Sequence, residues 1–140
     1  MINLNSNRYV LMGAILFLWG LWGFFPKVAT GHVDPRSSSV YQAIGSLVVT
    51  MVILWSMQFK TEVHWPSIAA LIVGGAAAAL GGLLLMQLLK TETATIAVSV
   101  TALYPIVTII LAVLFLGESV NLRQGIGILF SLAALVLLAG

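Results

Sequence analysis

Apolar residues run along this chain in five long blocks, Tyr9 to Phe25, Ser37 to Phe59, Pro66 to Leu89, Thr93 to Leu116 and Leu122 to Gly140. Each is close to the ~20 residues that a helix needs to cross the hydrocarbon core of a bilayer. The charged side chains fall between the blocks or at their edges: Arg8 before the first, Lys27, Asp34 and Arg36 after it, Lys60 and Glu62 after the second, Lys90 and Glu92 after the third, Glu118 and Arg123 around the last turn. Lipid offers no partner for an unpaired backbone group, so a spanning segment is a helix or a strand of a closed barrel. Barrel strands alternate polar and apolar with period two, which these blocks do not. The pattern predicts an all-α integral membrane protein with five transmembrane helices. The short connections make successive helices antiparallel neighbours.

Composition removes the soluble alternative. Of 140 residues, 61% are hydrophobic and 7% charged, against about 25% charged in an ordinary globular protein, and the mean hydropathy is +1.12. Ten charged side chains cannot clothe a soluble surface of this size. With no Cys, thiolate metal sites, disulfides and a cysteine nucleophile are excluded. His32 and His64 lie in loops on opposite sides of the bilayer in this topology, so neither a metal site nor an enzymatic centre is expected, and no cofactor. The net charge of +2 is scattered and forms no cluster for nucleic acid. Arg8 followed by an apolar block has the length of a secretory signal. The bulky Phe24-Phe25-Pro26, Lys27 and the four further blocks favour a retained helix.

Orientation is less settled. With five spans the termini lie on opposite sides, which puts Arg8, Lys60 and Arg123 on one side and Lys27, Arg36 and Lys90 on the other. An excess of Lys and Arg on short loops normally fixes insertion, and here there is none. A single orientation set by other factors and insertion both ways stay open. Under the second, the chain pairs with an inverted copy of itself, the arrangement of inverted-repeat transporters.

Neutral residues supply the polar chemistry inside the spans: Gln42 and Ser46 in the second, Gln87 in the third and a dense set in the fourth. On a helical wheel Thr91, Thr95, Ser99 and Ala102 form one stripe of the fourth span, and Thr101, Tyr104 and Thr108 form another roughly opposite. Pro105 deprives the carbonyl of residue 101 of its amide partner and predicts a bend. Small residues Gly74, Ala78 and Gly82 recur at spacing four, which suits close helix packing. The pair Gly81-Gly82 also offers a hinge. Trp55, Trp65 and Tyr9 suit the interfacial belt, whereas Trp19 and Trp22 lie deeper in the first span and are candidates for a cavity wall.

The stretch Ser99-Val100-Thr101-Ala102-Leu103-Tyr104-Pro105-Ile106-Val107-Thr108, continued by Leu114-Phe115-Leu116-Gly117-Glu118 and Gln124-Gly125-Ile126-Gly127-Ile128, resembles the EamA domain of the drug/metabolite transporter superfamily. Trp19-Gly20 and Lys27 also look like the start of such a domain. Most members carry two such units in ten helices related as an inverted repeat. The resemblance therefore implies half of a ten-helix transporter, completed by a second copy. Small multidrug exporters of that superfamily use an acid in the first helix to exchange protons for cationic drugs. No acid occupies that helix here, so that activity does not carry over. Glu118, the turn acid, is expected to pair with Arg123, to cap the fifth helix or to gate.

The resulting expectation is a small transporter in a bacterial cytoplasmic (inner) membrane, exporting a small metabolite or amphipathic solute by alternating access as an antiparallel homodimer. Its partners are the lipid bilayer, a second copy and the solute. Trp19, Trp22, Gln42, Thr101 and Tyr104 line the pathway, with hinges at Gly81, Gly82 and Pro105. The competing expectation is a non-transporting accessory subunit with the same fold.

Overall fold

A computed structural model describes residues 8–139 of the chain. Every regular element among them is a helix: α1 (Arg8–Ala29), α2 (Pro35–Ser56), α3 (Trp65–Thr91), α4 (Ala94–Thr101), α5 (Tyr104–Leu116) and α6 (Leu122–Ala139). The first three and the last coincide with apolar blocks of the sequence. The fourth block is divided into α4 and α5, which together still form an apolar stretch of 23 residues. Four stretches are long and apolar enough to cross a membrane, and α6 is a shorter apolar helix. The chain is an all-α integral membrane protein of five spanning segments.

The helices fall into two compact units, one ending at Thr91 and the other beginning at Glu92. In the first, α3 packs against both α1 and α2. Its buried residues are Gly82, Leu85, Met86 and Leu89, spaced by three, one and three, so they form one stripe along the last two turns. The buried residues of the neighbouring helices are Gly23 and Pro26 of α1 and Pro35 and Ser38 of α2. All these lie at the end formed by the α1 C-terminus, the α2 N-terminus and the α3 C-terminus. Polar groups fasten the same end. Lys27 Nζ donates to the Leu89 carbonyl at 2.7 Å, and Lys90 Nζ stands 3.8 Å from Asp34 Oδ1. Asp34 also caps α2, accepting from the Arg36 amide at 2.9 Å, and Pro35 follows at the position where a missing N–H matters least.

The opposite end is looser: Trp55 and Trp65 are 74% and 75% exposed. There α2 stops through two residues in the left-handed region, Gln58 at φ 54° and Phe59 at φ 59°. The Phe59 amide returns to the Leu54 carbonyl at 3.0 Å, which satisfies an end carbonyl of the helix.

In the second unit α4 packs on α6. Thr93 caps α4 by accepting from the Ile96 amide. The break after Thr101 follows from Pro105, whose ring leaves no N–H for the Thr101 carbonyl and crowds it. The backbone tightens into successive three-residue turns, Leu103 N to Val100 O at 3.3 Å and Ile106 N to Leu103 O at 2.9 Å. The bend expected at Pro105 is thus a true interruption centred on Ala102 and Leu103. At the far end Gly117 adopts φ 67°, and the Glu118 amide closes on the Ala112 carbonyl at 3.3 Å. A left-handed glycine of this kind is a common way to stop a helix. It gives the Leu116-Gly117-Glu118 sequence a conformational reason. Asn121 and Gln124 then cap α6 reciprocally, each side chain accepting from the other's backbone amide at 2.9 Å.

Most large apolar side chains in both units face outward, Leu71 at 75% and Phe115 at 79% exposed among them. That is the surface lipid or a neighbouring transmembrane chain requires.

Candidate substrate cavity

Within the first unit a cavity of about 470 Å³ opens among the helices, within the range of small-molecule sites. From α1 it takes Trp22, Phe25 and Pro26; from α2, Ser38, Tyr41, Gln42 and Ser46; from α3, Met86. The polar members have a simple origin. Ser38, Gln42 and Ser46 are spaced by four, so one face of α2 presents them in a row. Trp22 and Pro26 bear the same relation on α1. Since proline has no N–H, the Trp22 carbonyl lacks its usual donor four residues on.

The polar row is unevenly satisfied. Ser46 Oγ donates to the Gln42 carbonyl at 3.1 Å. Ser38 is 8% exposed, and its Oγ has no hydrogen-bond partner among the described residues. Opposite Gln42 stands Gly82, where an added Cβ would lie 3.5 Å from Gln42 Oε1. Beyond the cavity wall at the fastened end, Ser39 Oγ donates to the Pro35 carbonyl and lies 3.5 Å from Met86 Sδ.

The second unit has its own cavity, about 350 Å³, lined by Ser99, Ala102, Leu103, Pro105 and Ile106 with Ile128, Ser131 and Ala134 of α6. It is nearly apolar, with Ser99 and Ser131 its hydroxyls. Ser131 Oγ is turned back to the Gly127 carbonyl.

The residues expected to line a pathway are therefore distributed. Trp22 and Gln42 share the first cavity. Trp19, 58% exposed, stands outside its lining. Thr101 and Tyr104 do not line the second cavity, whose wall carries Ser99, Ala102 and Pro105 instead. Thr101 Oγ1 points back to the Ala97 and Val98 carbonyls at 2.9 and 3.1 Å. The wall continues the Ser99 and Ala102 stripe through Ile106 and Ile109, so the two stripes keep opposite sides and the Ser99 side is the one that faces α6. Of the hinge candidates, Pro105 sits at the interruption, whereas Gly81 and Gly82 lie in an unbroken α3. Gly82 is buried, and around Gly81 there is open space. Glu118 and Arg123 form no ion pair among the described residues, and the α6 cap belongs to Asn121 and Gln124. Ser38, Tyr41 and Met86 were not marked as site residues. The four-residue spacing of Ser38, Gln42 and Ser46 was the available signal.

Comparison with known proteins agrees with this architecture. The EamA-like transporter family matches residues 7–140. An uncharacterized protein of Methanocaldococcus jannaschii is 24% identical over 131 residues, covering 93% of this chain and 95% of its own length. No solved structure matches the chain.

Proposed function

The chain belongs to the EamA-like transporter family, and from that premise we propose that it moves a small metabolite or amphipathic solute across the membrane, outward, as two oppositely inserted copies. The observation that carries the proposal is the first cavity: about 470 Å³ walled by Trp22, Phe25 and Met86, with Ser38 and Gln42 among its few polar groups. Trp19, Thr101 and Tyr104 are further solute-contacting residues in this reading, and Pro105, Gly81 and Gly82 permit movement within their own helices.

Two features support pairing of inverted copies. Three basic residues on each side give no instruction for one orientation. The archaeal relative, matched over 95% of its length, is of the same one-unit size. Alternating access then consists of opening and closing one protomer's fastened end while the inverted partner does the reverse. In that cycle Glu118 and Arg123 pair in one access state and separate in the other. The membrane is the cytoplasmic one of a bacterial cell.

Reconstitution of the purified chain alone into vesicles tests this reading. We expect solute flux above that of empty vesicles across a panel of neutral and amphipathic metabolites, abolished by Gln42→Leu. Absence of flux together with stable co-purification of another membrane protein would replace it with the accessory-subunit reading.

A further inference from the structure

The geometry points to the first cavity as a site for an electrically neutral solute with a flat apolar body and one amide-like group, with Ser38 and Gln42 as the hydrogen-bonding pair. The inference rests on the transport reading only for calling the occupant a substrate.

Ser38 is the first step. Its neighbours on α2 return their hydroxyls to the carbonyl four residues back: Ser39 to Pro35, Ser46 to Gln42, Thr50 to Ser46. Ser38 does not; it is a lining residue of the cavity with nine-tenths of its surface buried, and its unpaired Oγ, shielded in this rotamer, reaches the cavity by rotation about χ1. A buried hydroxyl left unpaired is unfavourable, so a group that pairs with it binds with the desolvation of that oxygen already met.

Gln42, one turn on, extends the same surface. Its side-chain amide makes no hydrogen bond among the described residues and offers a donor and an acceptor together. Gly82 keeps space open beside its Oε1. On α1 the lining residue Trp22 has a carbonyl relieved of its helical donor by Pro26, a further candidate acceptor. A carboxamide or urea complements these groups, accepting from Ser38 and the Gln42 NH2 while donating to Gln42 Oε1 or the Trp22 carbonyl.

Charge decides the rest. No Asp, Glu, Lys, Arg or His lines the cavity. Of the titratable residues that flank the lining in sequence, Asp34 stands against Lys90 and Lys27 donates to the Leu89 carbonyl, while His32 and Arg36 are exposed. A charged occupant would lose hydration and find no counter-ion, whereas Trp22, Phe25 and Met86 suit a planar apolar body.

The test is thermal unfolding of the detergent-solubilised full chain with four probes of one shape: 1-naphthamide, 1-naphthoate, 1-naphthylmethylammonium and 1-methylnaphthalene. We expect 1-naphthamide to raise Tm in a concentration-dependent way and the two ions to give no comparable shift. Ser38→Ala removes the unpaired hydroxyl. The ligand-free protein should then melt higher, while affinity for 1-naphthamide falls about tenfold. Gln42→Leu should reduce it similarly, and Gln42→Glu should move the preference to 1-naphthylmethylammonium. Ions binding as well as the amide, or 1-naphthamide affinity unchanged in both Ser38→Ala and Gln42→Leu, would overturn the assignment. So would 1-methylnaphthalene matching 1-naphthamide, the mark of an indiscriminate apolar groove. Because binding in micelles needs no flux, a protein that binds the amide but moves nothing contradicts the transport reading alone.

Discussion

Lys27 and Leu89 are 62 residues apart in sequence, yet the Lys27 ammonium donates to the Leu89 carbonyl at 2.7 Å. The contact ties the end of α1 to the last turn of α3, where the carbonyls lack intrahelical donors and the helix dipole favours a cation. Lys27 follows the cavity-lining Pro26 in sequence, so the contact anchors the stretch of α1 that forms part of the wall. Lys27→Met keeps the apolar stem and removes the donor. We expect a loss of about 1.5–3 kcal/mol, the range for hydrogen bonds to charged groups, measured by denaturant unfolding in micelles, with increased solute leakage in vesicles.

Asp34 serves two roles at that end that conservative substitutions separate. Its partner Lys90 is 43% exposed and Asp34 itself 60%, so screening leaves the ion pair worth no more than about 0.5 kcal/mol. Its cap on the Arg36 amide is worth about 1 kcal/mol. Asp34→Asn keeps the cap and should be nearly silent in unfolding, while Asp34→Ala should show the larger loss.

Three helix-terminating residues occupy left-handed backbone, Gln58, Phe59 and Gly117. A side chain there costs on the order of 1 kcal/mol relative to glycine. Gln58→Gly should therefore raise Tm and Gly117→Ala lower it. A pair of changes of equal sign would show that the turns are not under this conformational control.

The two adjacent glycines of α3 should behave differently, as the place of Gly82 alone in the stripe with Gly74 and Ala78 suggests. Gly81 has open space around it and Gly82 faces Gln42 Oε1. Gly81→Ala should stabilise the helix by up to about 1 kcal/mol without altering ligand binding. Gly82→Leu should displace Gln42 and reduce uptake of a neutral solute at least tenfold in vesicles. Loss of flux in Gly81→Ala while the protein binds ligand and is more stable is the outcome expected from the movement proposed at Gly81, and unchanged flux would remove Gly81 from the hinge.

What the sequence made legible follows from the length scale of each signal. Five spans were readable because exclusion of charge from hydrocarbon acts over some twenty residues and ignores detail. The break in the fourth was half readable. Pro105 announced a lost hydrogen bond, but the backbone turns at Ala102 and Leu103, ahead of the proline, because the freed carbonyl belongs to Thr101. Choosing between the Thr101 and Tyr104 stripe and the Ser99 and Ala102 stripe as the cavity face needed the side on which α6 packs, which a helical wheel does not carry. Trp22 and Gln42 were readable as polar-capable groups in apolar spans. Ser38 was not. It stands in the run Ser37-Ser38-Ser39 at a helix start, and only packing against α1 and α3 buries the middle hydroxyl while its neighbour Ser39 bonds backward to Pro35.

Inverted pairing is tested most directly by the side of the membrane each loop faces. The chain has no Cys, so single cysteines in place of Gly31, between α1 and α2, and Thr61, between α2 and α3, can be labelled in intact cells with an impermeant thiol reagent and again after permeabilisation. Oppositely inserted copies require both positions to be labelled from outside in about half of the molecules, whatever the expression level. Labelling of one position completely from outside and the other only after permeabilisation contradicts inverted pairing and fixes a single orientation.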